Sequence, residues 1–168
     1  MKRVLLAVVV VLLSSLGAAR ADQAFTISLD GLQETPPVAT PGTGSGTAFY
    51  DSTAGTLAVS IGFSGLIAPV TAAHVHTNAP GLPGPVVLDL GPYTTLGVTS
   101  GTISGAPLFP AAHVANLLAG LSYVNIHTSA FPGGEIRGQL LPVPEPSTVA
   151  LVGLSILGLG YRLRRRRT

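Results

Sequence analysis

Three of the chain's four histidines stand where strand periodicity would gather them. His74 and His76 are two positions apart, and in an extended strand such residues point to the same face. Asn125 and His127 repeat that spacing, and so do Glu135, Arg137 and Gln139. In each segment the apolar residues take the opposite face: Val75 in the first, Val124 and Ile126 in the second, Ile136 and Leu140 in the third. If the three segments are neighbouring strands, these seven polar side chains form one patch. Two chemistries fit it. Imidazoles from a His-x-His pair and a third from another strand could ligate Cu or Zn. Alternatively, the patch is a structural hydrogen-bond network, in which Arg137 pairs with Glu135 or another carboxylate and the histidines bond to backbone and to Asn125.

The elements that must position these residues read as short strands. Phe25, Ile27 and Leu29 alternate with Thr26 and Ser28, and Leu57, Val59, Ile61 and Phe63 alternate with small or polar residues. Further strands are expected at 46–51, 71–77, 85–90, 97–104, 121–128 and 135–141. Turn signals separate them: Pro36-Pro37, Pro41-Gly42, Ala54-Gly55, Pro80-Gly81, Pro83-Gly84 and Pro132-Gly133-Gly134. One short helix should run from Pro110 to Gly120, with Val114, Leu117 and Leu118 on its buried face and His113 facing solvent. The fold class is therefore all-β, an antiparallel Greek-key sandwich or barrel with one short helix.

Charge divides the 168 residues into a body and two ends. Between Asp22 and Leu141 the only base is Arg137, against Asp22, Asp30, Glu34, Asp51, Asp89 and Glu135. An acidic body has no Lys/Arg face for a phosphate backbone, so no nucleic-acid partner is expected. The chain has no cysteine, so the domain stands on its core, or on a core and an ion. At the N-terminus, Lys2 and Arg3 precede an apolar run from Val4 to Leu13, and the small residues Ala19 and Ala21 flank Arg20. This is the pattern of a signal peptide spanning 1–21, cut by signal peptidase to leave Asp22 first. At the other end a linker, 142–147, holds Pro144-Glu145-Pro146; an apolar stretch and an arginine-rich end, with Arg164, Arg165, Arg166 and Arg167, fill 148–168. A helix over Thr148 to Tyr161 would be about 21 Å long against about 30 Å of hydrocarbon, a weak membrane span with its arginines in the cytoplasm.

The tail, with its Pro-Glu-Pro motif, apolar helix and arginine cluster, resembles the PEP-CTERM sorting signal. That resemblance implies a Gram-negative bacterium, recognition by an exosortase, a transient inner-membrane anchor, and a place at the cell surface or in an extracellular, biofilm-associated matrix. The body, 22–141, resembles the CHRD domain first described in chordin. The residues that carry this are Leu29 to Val38, Ala73-His74-Val75-His76, Gly81 to Val87, Tyr123 to Thr128 and Pro132 to Leu140. The family's animal relatives are extracellular binding proteins. The order His-x-His, a later His, then Gly-x-x-Arg-Gly is similar to the copper side of Cu/Zn superoxide dismutase, although nothing matches its bridging histidine, zinc loop or disulfide. The expected function is a non-enzymatic binding module of the envelope or matrix, engaging an extracellular polysaccharide or protein. The alternative is a copper- or zinc-binding or redox protein using His74, His76 and His127. Neither the serines Ser64 and Ser104 nor any pair of carboxylates has the surroundings of a hydrolase site.

Overall fold

The alternation read in the sequence builds an antiparallel sheet. The structure is a computed structural model and describes residues 22–144. The expected leader with Ala19 and Ala21, and the tail from Glu145 through Pro146 to the Arg164–Arg167 cluster, lie outside the described residues. Nine strands form: β1 (Gln23–Asp30), β2 (Thr43–Asp51), β3 (Thr56–Ser64), β4 (Val70–Thr77), β5 (Val86–Asp89), β6 (Gly101–Gly105), β7 (Ser122–Thr128), β8 (Ile136–Gln139) and β9 (Leu141–Pro142). Among the described residues one short helix, α1 (Val114–Leu118), follows a 3-10 turn at Ala111–His113. Among the described residues no helix is long and apolar enough to cross a membrane.

The strands order as β5-β4-β7-β8-β1-β2-β3-β6, with β9 paired to β1. The chain therefore crosses from β3 to β4 near the far edge and returns from β5 to β6, the long connections of a Greek key rather than a meander. The sheet curls on itself, and irregular backbone after β5 bridges the gap between its edges. Thr95 N–H donates to Thr102 O on one side, while Gly97 N–H donates to Val70 O and Val70 N–H to Val98 O on the other. This segment was expected to be strand from Gly97 onward. Regular pairing begins only at Gly101, because residues 97–99 turn their hydrogen bonds toward Val70 at the start of β4 and toward Leu66 before it.

Inside the curl, Phe25, Ile27, Leu29, Leu57, Val59, Ile61, Phe63, Val75, Val124 and Ile126 make a continuous apolar core. Each large side chain so buried contributes about 1.5–3 kcal/mol. At the centre of β2, Gly46 is required: a Cβ there would overlap the Ser60 carbonyl of β3. The helix departs from expectation on one face. Leu117 is fully buried, but Leu118 is 36 % exposed, and His113 is half-buried rather than solvent-facing. Five helical residues, preceded by a tighter 3-10 turn, are too few to present the expected stripe.

Candidate functional site

The three polar-faced segments are neighbours, with β7 between β4 and β8. Cross-strand registers align His74, Asn125 and Arg137 in one row, and His76, Tyr123 and Gln139 in the next. The outer face of this half of the sheet is polar but not open. Every residue of β7 and β8 is buried, because loops at 31–37, 78–84 and 130–134 roof it. The domain thus has an apolar core on one side of β7 and a polar interior on the other.

Arg137 organises the roof. It is 3 % exposed, its guanidinium carbon lies 3.4 Å from the Tyr123 ring centroid, and it donates to Leu82 O (2.9 Å) and Ala79 O (3.3 Å). Across β7, His76 stacks on the same ring at 5.0 Å with planes 7° apart. Tyr123 Oη accepts from Gly84 N–H (2.9 Å), and Gln139 Nε2 donates to Asn78 O and Gly120 O. The loop 78–84 is therefore clamped along its length by side chains of β7 and β8.

The histidines converge beside this clamp. His76 Nδ1 lies 2.9 Å from Gly84 O and His127 Nδ1 lies 3.0 Å from Pro132 O. Carbonyl oxygens only accept, so both rings carry their proton on Nδ1 and a lone pair on Nε2. His74 Nδ1 is 3.0 Å from His127 Nε2, and His74 Nε2 is 3.9 Å from Asp89 Oδ1 on β5. One ligand nitrogen from each of the three rings lies within 4.8 Å of the others. Burial, and the neighbouring His74, push the His76 and His127 imidazoles below the ordinary histidine range despite the Nδ1 hydrogen bonds. These three residues could hold a metal.

Glu135 is not in the patch. The expected alternation extends one residue too far, since β8 begins at Ile136 and Gly134 takes φ +129°. The Glu135 carboxylate points instead to the end of the apolar core. There it accepts from Thr40 Oγ1 (2.6 Å), Ile67 N–H (2.7 Å) and Thr128 Oγ1 (2.7 Å). Arg137 makes no direct ion pair among the described residues.

The carboxyl that does enter the patch is Glu34, which sequence reasoning treats as a strand exit. It is 8 % exposed, and burial pushes its pKa up to about 7, opposed by Arg137, the Thr35 backbone N–H and the Asn125 amide. Its Oε1 lies against Gly134, where a Cβ would overlap both Glu34 and the Asn125 amide. A glycine pair after Pro132 was the one sequence signal that something approaches closely there. A cleft of about 340 Å³ lined by Leu32, Glu34, Pro80, Arg137 and Gln139 opens the patch to solvent.

A pH dependence follows from these shifts. With a folded pKa above its unfolded value, Glu34 contributes stability present below about pH 4.5 and lost as pH rises through about 7. His76 and His127 act oppositely: their neutral forms contribute stability above pH 6.5 that is lost on acidification. Glu34→Gln should match wild type at pH 5 and melt at a higher temperature at pH 8. Equal melting temperatures at both pH values would show that Glu34 ionises freely in the folded chain.

Fold and site together define a class: a curled antiparallel β-domain with a roofed polar interior on one half of its sheet. The chain belongs to the CHRD family, with the CHRD domain matching residues 25–140. The PEP-CTERM protein-sorting motif matches residues 142–166, which marks the protein for export, exosortase processing and sorting to the envelope of Gram-negative bacteria. No curated protein and no solved structure matches the chain.

Proposed function

We propose that this protein is an exported envelope module that works by binding a small ligand in its roofed polar patch, without catalysing a reaction. One observation carries the reading. Four buried polar atoms have no well-formed hydrogen-bond partner; Ser122 Oγ is apart, but Glu34 Oε1, His76 Nε2 and Asn125 Oδ1 belong to this patch, and Glu34 is only approached by the Thr35 N–H and the Asn125 amide. Buried polar atoms are almost always satisfied, so three orphans in one place point to a missing occupant. The roof excludes a macromolecule from these atoms. A polysaccharide or protein of the matrix would meet the outer face of β1, β2, β3 and β6 instead, where Ser28, Ser45, Gly62 and Thr102 align in register. Two carboxyls approach the patch from different sides, Glu34 beside Arg137 and Asp89 beside His74.

In this reading a signal peptidase frees Asp22, whose carboxylate accepts from Ser52 N–H and Oγ at the start of β1. The tail then anchors the domain outside the inner membrane until exosortase processing releases it to the surface or the biofilm matrix. Native mass spectrometry of protein recovered from its own envelope, with a thermal-shift panel of ions and small metabolites, tests the ligand. The expected result is a bound species lost on denaturation; protein that carries nothing and is stabilised by nothing overturns the reading. Sorting has its own test. Changing Pro144, Glu145 and Pro146 to Ala should leave full-length protein in the inner membrane, and trimming like wild type would reduce the tail to a plain anchor.

A further inference from the structure

We propose that His74, His76 and His127 bind one transition-metal ion, Cu²⁺ most tightly and Zn²⁺ next, through His74 Nδ1, His76 Nε2 and His127 Nε2. This rests on reading the roofed patch as a ligand site, and it names the ligand. The donor atoms are set by the backbone. Gly84 O and Pro132 O hold the Nδ1 protons of His76 and His127, which aims both Nε2 lone pairs into the cluster. Metal-bound histidines almost always donate their other ring N–H in this way, fixing tautomer and orientation. His76 Nε2 is buried without a partner, so its lone pair is desolvated for nothing in the metal-free chain.

The third ring is poised to switch. Without metal, a single proton lies between His74 Nδ1 and His127 Nε2, 3.0 Å apart, and His127 Nε2 accepts it. When an ion takes its place, that proton moves to His74 Nε2. There it faces Asp89 Oδ1, now 3.9 Å away across the β4–β5 pair. No proton leaves the protein, and a carboxylate–histidine–metal triad forms. One ring nitrogen from each histidine lies within 4.8 Å of the others. Two nitrogens on one ion are at most about 4.2 Å apart, twice a bond of about 2.1 Å, so the rings must close by some tenths of an ångström. His74 is the most exposed of the three, its side chain being 24 % exposed.

Charges of both signs face the cluster. Asp89 favours a cation and Arg137 opposes it, and the Arg137 guanidinium is held against Tyr123 and two carbonyls. Three imidazoles with no carboxylate in the first coordination sphere suit Cu and Zn and reject Mg²⁺ and Ca²⁺, which require oxygen ligands.

Calorimetric titration of the metal-free full chain in mild detergent tests this directly. One Cu²⁺ per chain should bind, at least about tenfold tighter than Zn²⁺, with no heat from Mg²⁺ or Ca²⁺. His74→Ala and His76→Ala should each weaken binding by about 100-fold or more, and His113→Ala should change nothing. Asp89→Asn should weaken it about tenfold at unchanged stoichiometry, the effect expected of a group that acts through a ligand. The Cu²⁺ electron paramagnetic resonance spectrum should show nitrogen hyperfine structure that simplifies in His76→Ala. Thermal melts confirm that the variants are folded. Silent titrations overturn the proposal, as does Cu²⁺ binding of equal strength in a His74→Ala/His76→Ala double variant. Stabilisation by an organic ligand with silent metal titrations sinks the metal alone, whereas no ligand of any kind sinks the binding reading with it.

Discussion

Replacing Glu135 with alanine is expected to destabilise the domain by about 2–4 kcal/mol, measured by urea unfolding. The side chain is 0 % exposed, yet among the described residues nothing of opposite charge pairs with it. Its carboxylate is instead the common acceptor for three distant parts of the chain: Thr40 before β2, Ile67 between β3 and β4, and Thr128 at the end of β7. These are short hydrogen bonds, 2.6–2.7 Å. Alanine removes the acceptor and strands two hydroxyls and a backbone N–H around a new cavity. Glu135→Gln keeps the shape and one carbonyl oxygen, so its loss should be smaller. Because the three segments join both halves of the curled sheet, the damage should appear as a lower unfolding midpoint rather than local fraying. A loss below about 0.5 kcal/mol, the range of an ordinary surface change, would mean that the network holds nothing together.

The parts of this molecule that follow a strand's two-residue period were legible in its sequence. His74, His76, Asn125, His127, Arg137 and Gln139 share a face because regular strands leave them no alternative, and they meet because β4, β7 and β8 are neighbours. Period alone failed where the backbone stops being regular. Glu135 stands one residue before β8, beyond a glycine at φ +129°, so its direction is reset and it joins another network. Glu34 enters the patch from a 3-10 turn at Gly31–Gln33, in a segment with no period to read. Its raised pKa was hidden for the same reason: only burial beside Arg137 and Asn125 distinguishes it from any loop carboxylate. The roof was equally invisible. A polar strand face normally signals solvent, and three loops had to fold back over this one to make it an interior. The order of the strands was not contained in any local pattern, since β1 pairs with β8 and β9 across more than a hundred residues of chain.

Arg137→Ala should lower stability by about 2–4 kcal/mol and, in addition, free the 78–84 loop. Arginine is used here for its flat, forked shape as much as for its charge. One face lies on the Tyr123 ring while Nη1 and Nη2 reach Leu82 O and Ala79 O, an arrangement that a point charge on a flexible stem cannot copy. Arg137→Lys should therefore recover only part of the loss, although it keeps the charge. The loop matters because Gly84 belongs to it: Gly84 N–H bonds Tyr123 Oη and Gly84 O holds His76 Nδ1. Loosening residues 78–84 should let the His76 ring rotate and its Nε2 find water. Hydrogen exchange should thus quicken at the Gly84 amide in Arg137→Ala, and far less at Ile61 in the centre of β3, which pairs with β2 on the distant half of the sheet. A melting point lowered without selective exchange at Gly84 would make Arg137 a packing residue only. Faster exchange at Gly84, with Ile61 still protected, would establish that the sole base of the domain holds the roof that positions its histidines.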